Sequence, residues 1–127
     1  MKKHIFIVDD DEAILDVIKI ILDDNGFKTT IITDGDTFFN RIKTQRPDLI
    51  LLDIWLTGID GIEITKRLKT KPQLKKIPVI MISANNKGKQ LALESGADGF
   101  LAKPFEIDDL LMIVNKYLQP QQKHIIA

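Results

Sequence analysis

The stretch Leu49–Asp53 constrains the fold more than any other part of this 127-residue chain. Four apolar residues run without interruption and end in an acid. An apolar run this short predicts a strand that is buried on both faces, as in the middle of a parallel sheet. Asp53 then lies at the carboxyl end of that strand, which is where open α/β sheets bind their ligands. From this stretch alone, Asp53 is either the cap of a helix or a reactive group.

Similar apolar runs recur along the chain and alternate with segments of helical pattern. Strands are predicted at 5–8, 27–32, 49–52, 78–83 and 99–102, and a helix follows each of them. Strands that alternate with helices through short links form a parallel sheet that is covered by helices on both sides. We therefore predict an α/β fold with one doubly wound, five-stranded parallel sheet. In this interpretation residues 1–119 form a single domain, and residues 120–127 form a C-terminal tail.

The first helix carries the clearest helical spacing. Its apolar residues recur at offsets of three, four and seven positions: Ile14, Val17, Ile18 and Ile21. This spacing predicts that the four side chains share one apolar face of the helix. Further along the chain, Asp34–Gly35 is predicted as a turn between the second strand and the second helix, because aspartate followed by glycine is typical of turns.

Composition and charge exclude several classes of function. The formal net charge is zero, whereas nucleic-acid binding driven by overall charge requires a basic excess. There is no cysteine, so disulfides and thiol chemistry are excluded. No apolar run approaches the roughly 18 residues of a membrane span. The segment Met1–His4 leads directly into a strand and does not resemble a signal peptide. We expect a cytoplasmic protein that has no membrane partner.

Polar and charged side chains end four of the five predicted strands. Asp9 and Asp10 follow the first strand, and the others end the third, fourth and fifth strands: Asp53, Ser83 and Lys103. These ends lie on one edge of a parallel sheet, so the side chains converge. Carboxylates a few Å apart repel each other by about 4 kcal/mol at an effective dielectric near 20. Such a cluster requires a cation, and Mg²⁺ fits best because it takes oxygen ligands and also binds phosphate.

Each of these residues also has an ordinary structural interpretation. Any one of the acids after the first strand could cap the first helix, and Asp53 could cap the third. Ser83 could be a turn residue, and Lys103 could be a solvated loop lysine. The combination of acids, a hydroxyl and a lysine at one edge nevertheless favours a site where a phosphoryl group sits on a carboxylate or is attacked by one.

Four segments resemble the receiver domains of response regulators, the CheY-like proteins. Val8-Asp9-Asp10 resembles the acidic pair of that family, and Asp53 with Leu56 and Asp60-Gly61 resembles its phosphoacceptor segment. Two further matches are to a hydroxyl–alanine pair and to a Lys-Pro-Phe motif: Ser83-Ala84 and Lys103-Pro104-Phe105. The resemblance extends over residues 4–118. It implies a flavodoxin-like (βα)5 fold with strand order 2-1-3-4-5.

The resemblance also implies a role for each site residue. Asp53 would be the phosphoacceptor. Mg²⁺ would bind to Asp10 and Asp53 directly, to Asp9 through water and to the backbone carbonyl of Trp55. The phosphoryl oxygens would be held by three residues: Ser83, Ala84 and Lys103. Ser83 and Phe100 would act as the switch residues, and the Lys103–Pro104 peptide bond would be cis.

The resemblance further implies partners and an output. The phosphoryl donor would be a sensor histidine kinase, a phosphotransfer protein or a small molecule such as acetyl phosphate. Phosphorylation would change the surface of the fourth helix (87–95), the fifth strand and the fifth helix (107–117), where an unknown output protein binds. We expect no direct contact with nucleic acid, and a monomer or a weak phosphorylation-dependent dimer. The chain would catalyse only its own phosphorylation and dephosphorylation, and so would not be an enzyme in the ordinary sense.

The chain departs from the family pattern beside the predicted site. Leu56-Thr57 stands where the family usually has Met-Pro, and the bulky Trp55 stands two positions after Asp53. Three other functions stay open. One is an aspartyl-phosphate phosphohydrolase, although Trp55 stands where that class needs a second acid. The second is a flavodoxin-like binding module, although the first loop is acidic instead of rich in Gly, Ser or Thr. The third is a receiver-like binding module that is not regulated by phosphate.

Overall fold

Five strands and five helices alternate along the chain in a computed structural model that describes residues 2–56 and 58–118. The strands are β1 (His4–Val8), β2 (Lys28–Ile32), β3 (Leu49–Asp53), β4 (Val79–Ser83) and β5 (Gly99–Ala102). The helices are α1 (Glu12–Asp24), α2 (Gly35–Thr44), α3 (Gly61–Lys69), α4 (Gly88–Ser95) and α5 (Ile107–Leu118). The predicted tail at 120–127 and the departure at Thr57 lie outside the described residues.

All strand pairs of the sheet are parallel, in the order β2-β1-β3-β4-β5. This confirms the predicted sheet and its strand order. The stretch Leu49–Asp53 is the central strand, between β1 and β4, and every residue in it is buried. In the register of the sheet Leu52 pairs with Val8 and Asp53 pairs with Ile82. The central position explains why the strand is apolar on both faces.

Alternate residues of the strands enter two separate cores, one on each face of the sheet. Phe6, Ile50 and Met81 pack on one side with residues from α2, α3 and α4. Ile7 and Leu51 pack on the other side with residues from α1 and α5. The sheet is therefore doubly wound, as predicted. Within the described residues, no helix combines the length and the apolar character that crossing a membrane requires.

The predicted apolar face of α1 was wrong at Val17, whereas Ile18 and Ile21 are buried and Ile14 is partly buried against the core. The side chains that pack on the sheet are Leu15, Ile18, Ile21 and Leu22, whereas Val17 is 53% exposed. Apolar residues surround much of this helix, and Ile20 is also 61% exposed. Apolar residues therefore extend beyond the buried face of α1, and helical spacing alone does not show which of them contact the sheet.

The segment Asp34–Gly35 is the start of α2 instead of a separate turn. Asp34 is the N-cap of that helix, and its side chain accepts a hydrogen bond of 2.8 Å from the backbone N–H of Thr37. Gly35 is the first helical residue and lies close to the loop before α3: a Cβ atom built on it would lie 3.1 Å from the Cβ of Ile59. The need for space at this contact, and not a turn conformation, accounts for the glycine.

Candidate functional site

The carboxyl edge of the sheet brings the predicted acids together. Asp9 and Asp10 follow β1, and Asp53 is the last residue of β3. One carboxylate oxygen from each residue lies within 4.8 Å of the other two. Asp9 and Asp53 are 3% and 7% exposed, and Asp10 is exposed. Three oxygen ligands that converge from two neighbouring strands form an acidic pocket that is open on the side of Asp10.

Helix capping does not account for these three acids. The N-cap of α1 is Asp11, whose carboxylate accepts hydrogen bonds from two backbone N–H groups of the first helical turn. The N-cap of α3 is Asp60, not Asp53. Asp9 also holds the loop in place, since its Oδ1 accepts a hydrogen bond of 2.9 Å from the N–H of Asp11. The acids of the pocket are thus separate from those that cap the helices.

Lys103 enters the pocket from the loop after β5. Its Nζ lies 3.0 Å from Oδ2 of Asp9 and 3.7 Å from Oδ1 of Asp53. The lysine side chain is only 17% exposed, so it is not a solvated loop residue. Its peptide bond to Pro104 is cis, as the resemblance implies. The ammonium group faces two carboxylates and offers one positive charge to a cluster of three negative ones.

Burial and charge raise the pKa of Asp53 to about 6. Burial contributes most to the rise, and the negative charge of Asp9 adds to it. The ammonium of Lys103 and a hydrogen bond from the backbone N–H of Trp55 act in the opposite direction, and Asp10 raises the pKa further. The upward shift means that the ionised form of Asp53 is less favourable here than in water, mainly because the carboxyl is buried and partly because other acids lie beside it. A cation bound beside Asp53 would stabilise the ionised form.

Ser83 ends β4 and is 1% exposed. Its Oγ accepts a hydrogen bond of 3.0 Å from the backbone N–H of Asn85, so the hydroxyl stabilises the loop after the strand. Within the described residues, this is the hydrogen bond that the Ser83 hydroxyl forms, and it does not involve an acid of the pocket. Ala84 is exposed and lines a shallow groove together with Lys103 and Pro104.

Phe100 lies in β5, pairs with Met81 of β4 and is partly buried. Gly88, at the start of α4, lies against the side chains of both Ser83 and Phe100. A Cβ atom on Gly88 would lie 2.9 Å from the Cβ of Ser83 and 3.0 Å from Cε1 of Phe100. The sequence pattern did not indicate this role, because a glycine at the start of a helix has many possible causes. Gly88 thus leaves the space in which Ser83 and Phe100 approach α4.

Gly61 fixes the start of α3 against the end of β3. A Cβ atom on this glycine would clash with the backbone oxygen of Asp53, at 2.4 Å. The N–H of Gly61 donates a hydrogen bond of 2.8 Å to the carbonyl of Ile54. This close backbone contact holds the loop that follows Asp53. Trp55 lies in that loop, two residues after Asp53, and is 50% exposed.

Comparison with known proteins agrees with this fold and site. A family model described as the response regulator receiver domain matches residues 5–115. The DNA-binding response regulator MtrA of Mycolicibacterium paratuberculosis is 35% identical over 121 residues, which cover 94% of this chain and 52% of MtrA. The regulatory protein PhoP of Bacillus subtilis is 36% identical over 107 residues, which cover 83% of this chain and 44% of PhoP. The chain spans about half the length of these curated relatives.

Solved structures show the same relationship. A CheY-like response regulator receiver domain protein from Methanospirillum hungatei has a TM-score of 0.86 and 30% identity, and the match covers 98% of this chain and 99% of that one. The receiver domain of the sensor histidine kinase PA1611 from Pseudomonas aeruginosa has a TM-score of 0.86 and 28% identity, with coverage of 93% and 98%. A magnesium ion is coordinated in the active site cleft of that protein. The chain belongs to the response regulator receiver domain family, and it is a receiver domain of the two-component type.

Proposed function

We propose that this chain accepts a phosphoryl group on Asp53 and transmits that event to another protein. The donor is a phosphohistidine on a sensor histidine kinase or a phosphotransfer protein, or a small molecule such as acetyl phosphate. The observation that supports this proposal most is the position of Asp53: a buried carboxylate at the end of the central strand, between two further acids and a lysine. The phosphohydrolase alternative lacks its second acid, because Trp55 occupies that position.

The pocket has the chemistry that a Mg²⁺ site requires. Its three carboxylates offer hard oxygen ligands within 4.8 Å of one another. In this proposal Asp10 and Asp53 bind the ion directly, Asp9 binds it through water, and the backbone carbonyl of Trp55 is a further ligand. When bound, Mg²⁺ would offset the charge of the acids and of the phosphoryl oxygens.

The residues of the chain supply the remaining parts of the transfer. An oxygen of Asp53 forms the new bond to phosphorus while the bond from phosphorus to the donor breaks, and the electron pair leaves with the imidazole nitrogen or with acetate. Lys103 contributes a positive charge to a phosphoryl oxygen. Asp9 acts as a positioning residue, because its 3.0 Å contact keeps the ammonium of Lys103 beside Asp53.

The proposed output depends on a change at Ser83 and Phe100. The aspartyl phosphate adds nearly two negative charges to the pocket. The hydroxyl of Ser83 then donates to a phosphoryl oxygen, and Phe100 moves towards the space that Ser83 leaves. This alters the α4-β5-α5 face, where an output protein binds. Moving such an equilibrium from 1:99 to 99:1 requires about 5.5 kcal/mol of differential binding.

The partners and the extent of catalysis belong to the same proposal. The named relatives include a DNA-binding response regulator, a transcriptional regulatory protein and the receiver domain of a sensor histidine kinase, so they do not indicate one output. We propose that residues 1–119 act through protein contacts, without direct contact with nucleic acid, as a monomer or a weak dimer when phosphorylated. The chain's catalysis is limited to its own phosphorylation and dephosphorylation.

Incubation with acetyl phosphate and Mg²⁺, followed by intact-mass measurement, tests the proposal. We expect an adduct of one phosphate that is lost in Asp53→Ala and reduced when EDTA replaces Mg²⁺. Steady release of phosphate without an adduct would instead favour the phosphohydrolase. The absence of both would favour a receiver-like binding module that phosphate does not regulate.

A further inference from the structure

Half of the basic residues of the chain fall in two short segments that contain no acid. Residues 41–46 hold three lysines and arginines, and residues 66–76 hold six, out of eighteen in the whole sequence. The two segments include the ends of α2 and α3. These helices run opposite to the parallel strands, so both segments lie at the amino edge of the sheet, away from the acidic pocket. A chain of zero net charge thus concentrates positive charge at a place that phosphoryl transfer does not use.

The two segments form opposite sides of one groove. The groove has a volume of about 350 Å³, and four basic side chains line it: Lys43, Arg46, Arg67 and Lys71. All four residues are exposed. Within the described residues, one of these four side chains forms an ion pair: Arg67 lies 3.0 Å from Glu63, and both side chains are about half exposed. Exposed pairs of this kind are weak, so Arg67 stays available to another anion.

Helix stabilisation explains only part of this charge. Cations in the last turn of a helix interact favourably with its dipole, and Lys43 and Arg67 lie in such turns. Arg46 lies beyond the end of α2, and its guanidinium donates a hydrogen bond to the backbone carbonyl of Ile42 in the last turn of that helix. Lys71 lies beyond the end of α3 and lines the groove together with Arg46. The neighbouring Lys69 does have a structural role, since its Nζ contacts Asp98 at 2.7 Å, and it does not line the groove.

The floor of the groove is apolar and includes a ring. Ile42 and Leu74 lie beneath the basic rim and are nearly buried, with 3% and 6% exposure. Phe39 is partly buried, and the guanidinium carbon of Arg67 lies 5.3 Å from the centroid of its ring. The inner face of the guanidinium therefore covers Phe39. The outer face of this planar group is suited to stacking against a flat ring.

We propose that the groove binds a nucleoside di- or triphosphate. Its volume lies within the range of small-molecule sites, roughly 300–1,000 Å³. Two arginines and two lysines match the several negative charges of a phosphate chain, because arginine binds phosphate through two parallel hydrogen bonds and lysine binds it as a point charge. The base lies against Arg67 and the rim of the apolar floor. A protein segment fits less well, since Ile42 and Leu74 leave little apolar surface to anchor one.

Calorimetry and NMR with ADP in EDTA test this site, because removing divalent ions keeps the acidic pocket from contributing. We expect ADP to bind, with amide shifts concentrated at residues 39–46 and 67–74, and adenosine and pyrophosphate each to bind more weakly. The double variant Lys43→Glu/Lys71→Glu should weaken binding at least about tenfold. The control Lys76→Glu changes an exposed lysine of the same loop that does not line the groove, and it should leave binding within about twofold.

Several outcomes would overturn the proposal. Equal binding of pyrophosphate and ADP would mean that the groove holds anions without recognising a nucleoside. Tight binding of a single-stranded oligonucleotide or of poly-glutamate, without binding of ADP, would assign the groove to nucleic acid or to an acidic peptide. If no probe binds, the basic residues of the groove serve only to stabilise the ends of the two helices. Circular dichroism of each variant, together with the milder Lys43→Gln/Lys71→Gln, separates lost binding from lost folding.

Discussion

Replacing Asp53 by asparagine should make the metal-free protein more stable. The pKa of Asp53 is about 6 in the folded protein against an ordinary value of 3.8. The folded state therefore holds this proton more tightly than the unfolded chain, and stability is lost as the pH rises from 3.8 to about 6. At 1.36 kcal/mol for each pKa unit, the ionised carboxylate costs the fold about 3 kcal/mol at pH 7.5 and about 1 kcal/mol at pH 4.5.

Asparagine keeps the size of the side chain and can still accept a hydrogen bond from the N–H of Trp55. Urea unfolding in EDTA should therefore give Asp53→Asn a free energy of unfolding about 3 kcal/mol above wild type at pH 7.5, equivalent to roughly 10 °C in Tm. At pH 4.5 the gain should fall to about 1 kcal/mol. Mg²⁺ should reduce the difference in free energy of unfolding between Asp53→Asn and wild type at pH 7.5, because it stabilises the wild type more than the variant.

The matched control is Asp16→Asn, which removes an exposed acid of α1. Its effect should stay within about 0.5 kcal/mol at both pH values. An Asp53→Asn variant that is no more stable than wild type at pH 7.5, or whose gain is equal at the two pH values, would show that the ionised Asp53 carboxylate does not destabilise the fold.

Four further predictions concern the packing of the fold and the surroundings of the site. Gly88→Ala should destabilise the fold by about 1–3 kcal/mol in chemical denaturation, because the added methyl meets Ser83 and Phe100 at about 3 Å; a fully stable variant would show that these side chains adjust freely. Leu15→Ala should cost about 2–5 kcal/mol and Val17→Ala less than about 0.5 kcal/mol, and equal losses in denaturation would contradict the position of α1. The fluorescence of Trp55 should respond to Mg²⁺ and to beryllofluoride, and a flat titration would count against a metal in the pocket. Trp55→Asn should shorten the lifetime of the phosphoryl group if the indole restricts the attacking water, whereas equal lifetimes would exclude that role.

The sequence predicts the strands well for a physical reason. A run such as Leu49–Leu52, apolar at every position, fits only a strand covered on both faces or a buried helix segment, and its short length selects the strand. The convergence of Asp9, Asp53 and Lys103 follows from the parallel arrangement, because all strand ends then lie on one edge. The strand order came from the family resemblance, since no local pattern specifies which strands are neighbours.

Other features depend on contacts that no local pattern encodes. The buried face of α1 depends on how the helix lies on the sheet, and both Val17 and Leu15 fit the helical spacing. The role of Gly88 depends on the approach of β4 and β5. Likewise the basic groove forms only when Arg46 and Lys71 meet across the ends of two helices. In each case the decisive neighbour is distant in sequence.

The proposed function requires that Asp53 carries the phosphoryl group. Peptide mapping of the protein after treatment with acetyl phosphate and Mg²⁺ tests it most directly, because the fragment that carries the added phosphate can be identified by mass. We predict a single modified residue, Asp53, and loss of the modification when Lys103 is replaced by alanine or when Mg²⁺ is withheld. Phosphate found on another residue, or an Asp53→Asn variant that is modified as fully as wild type, would contradict the claim.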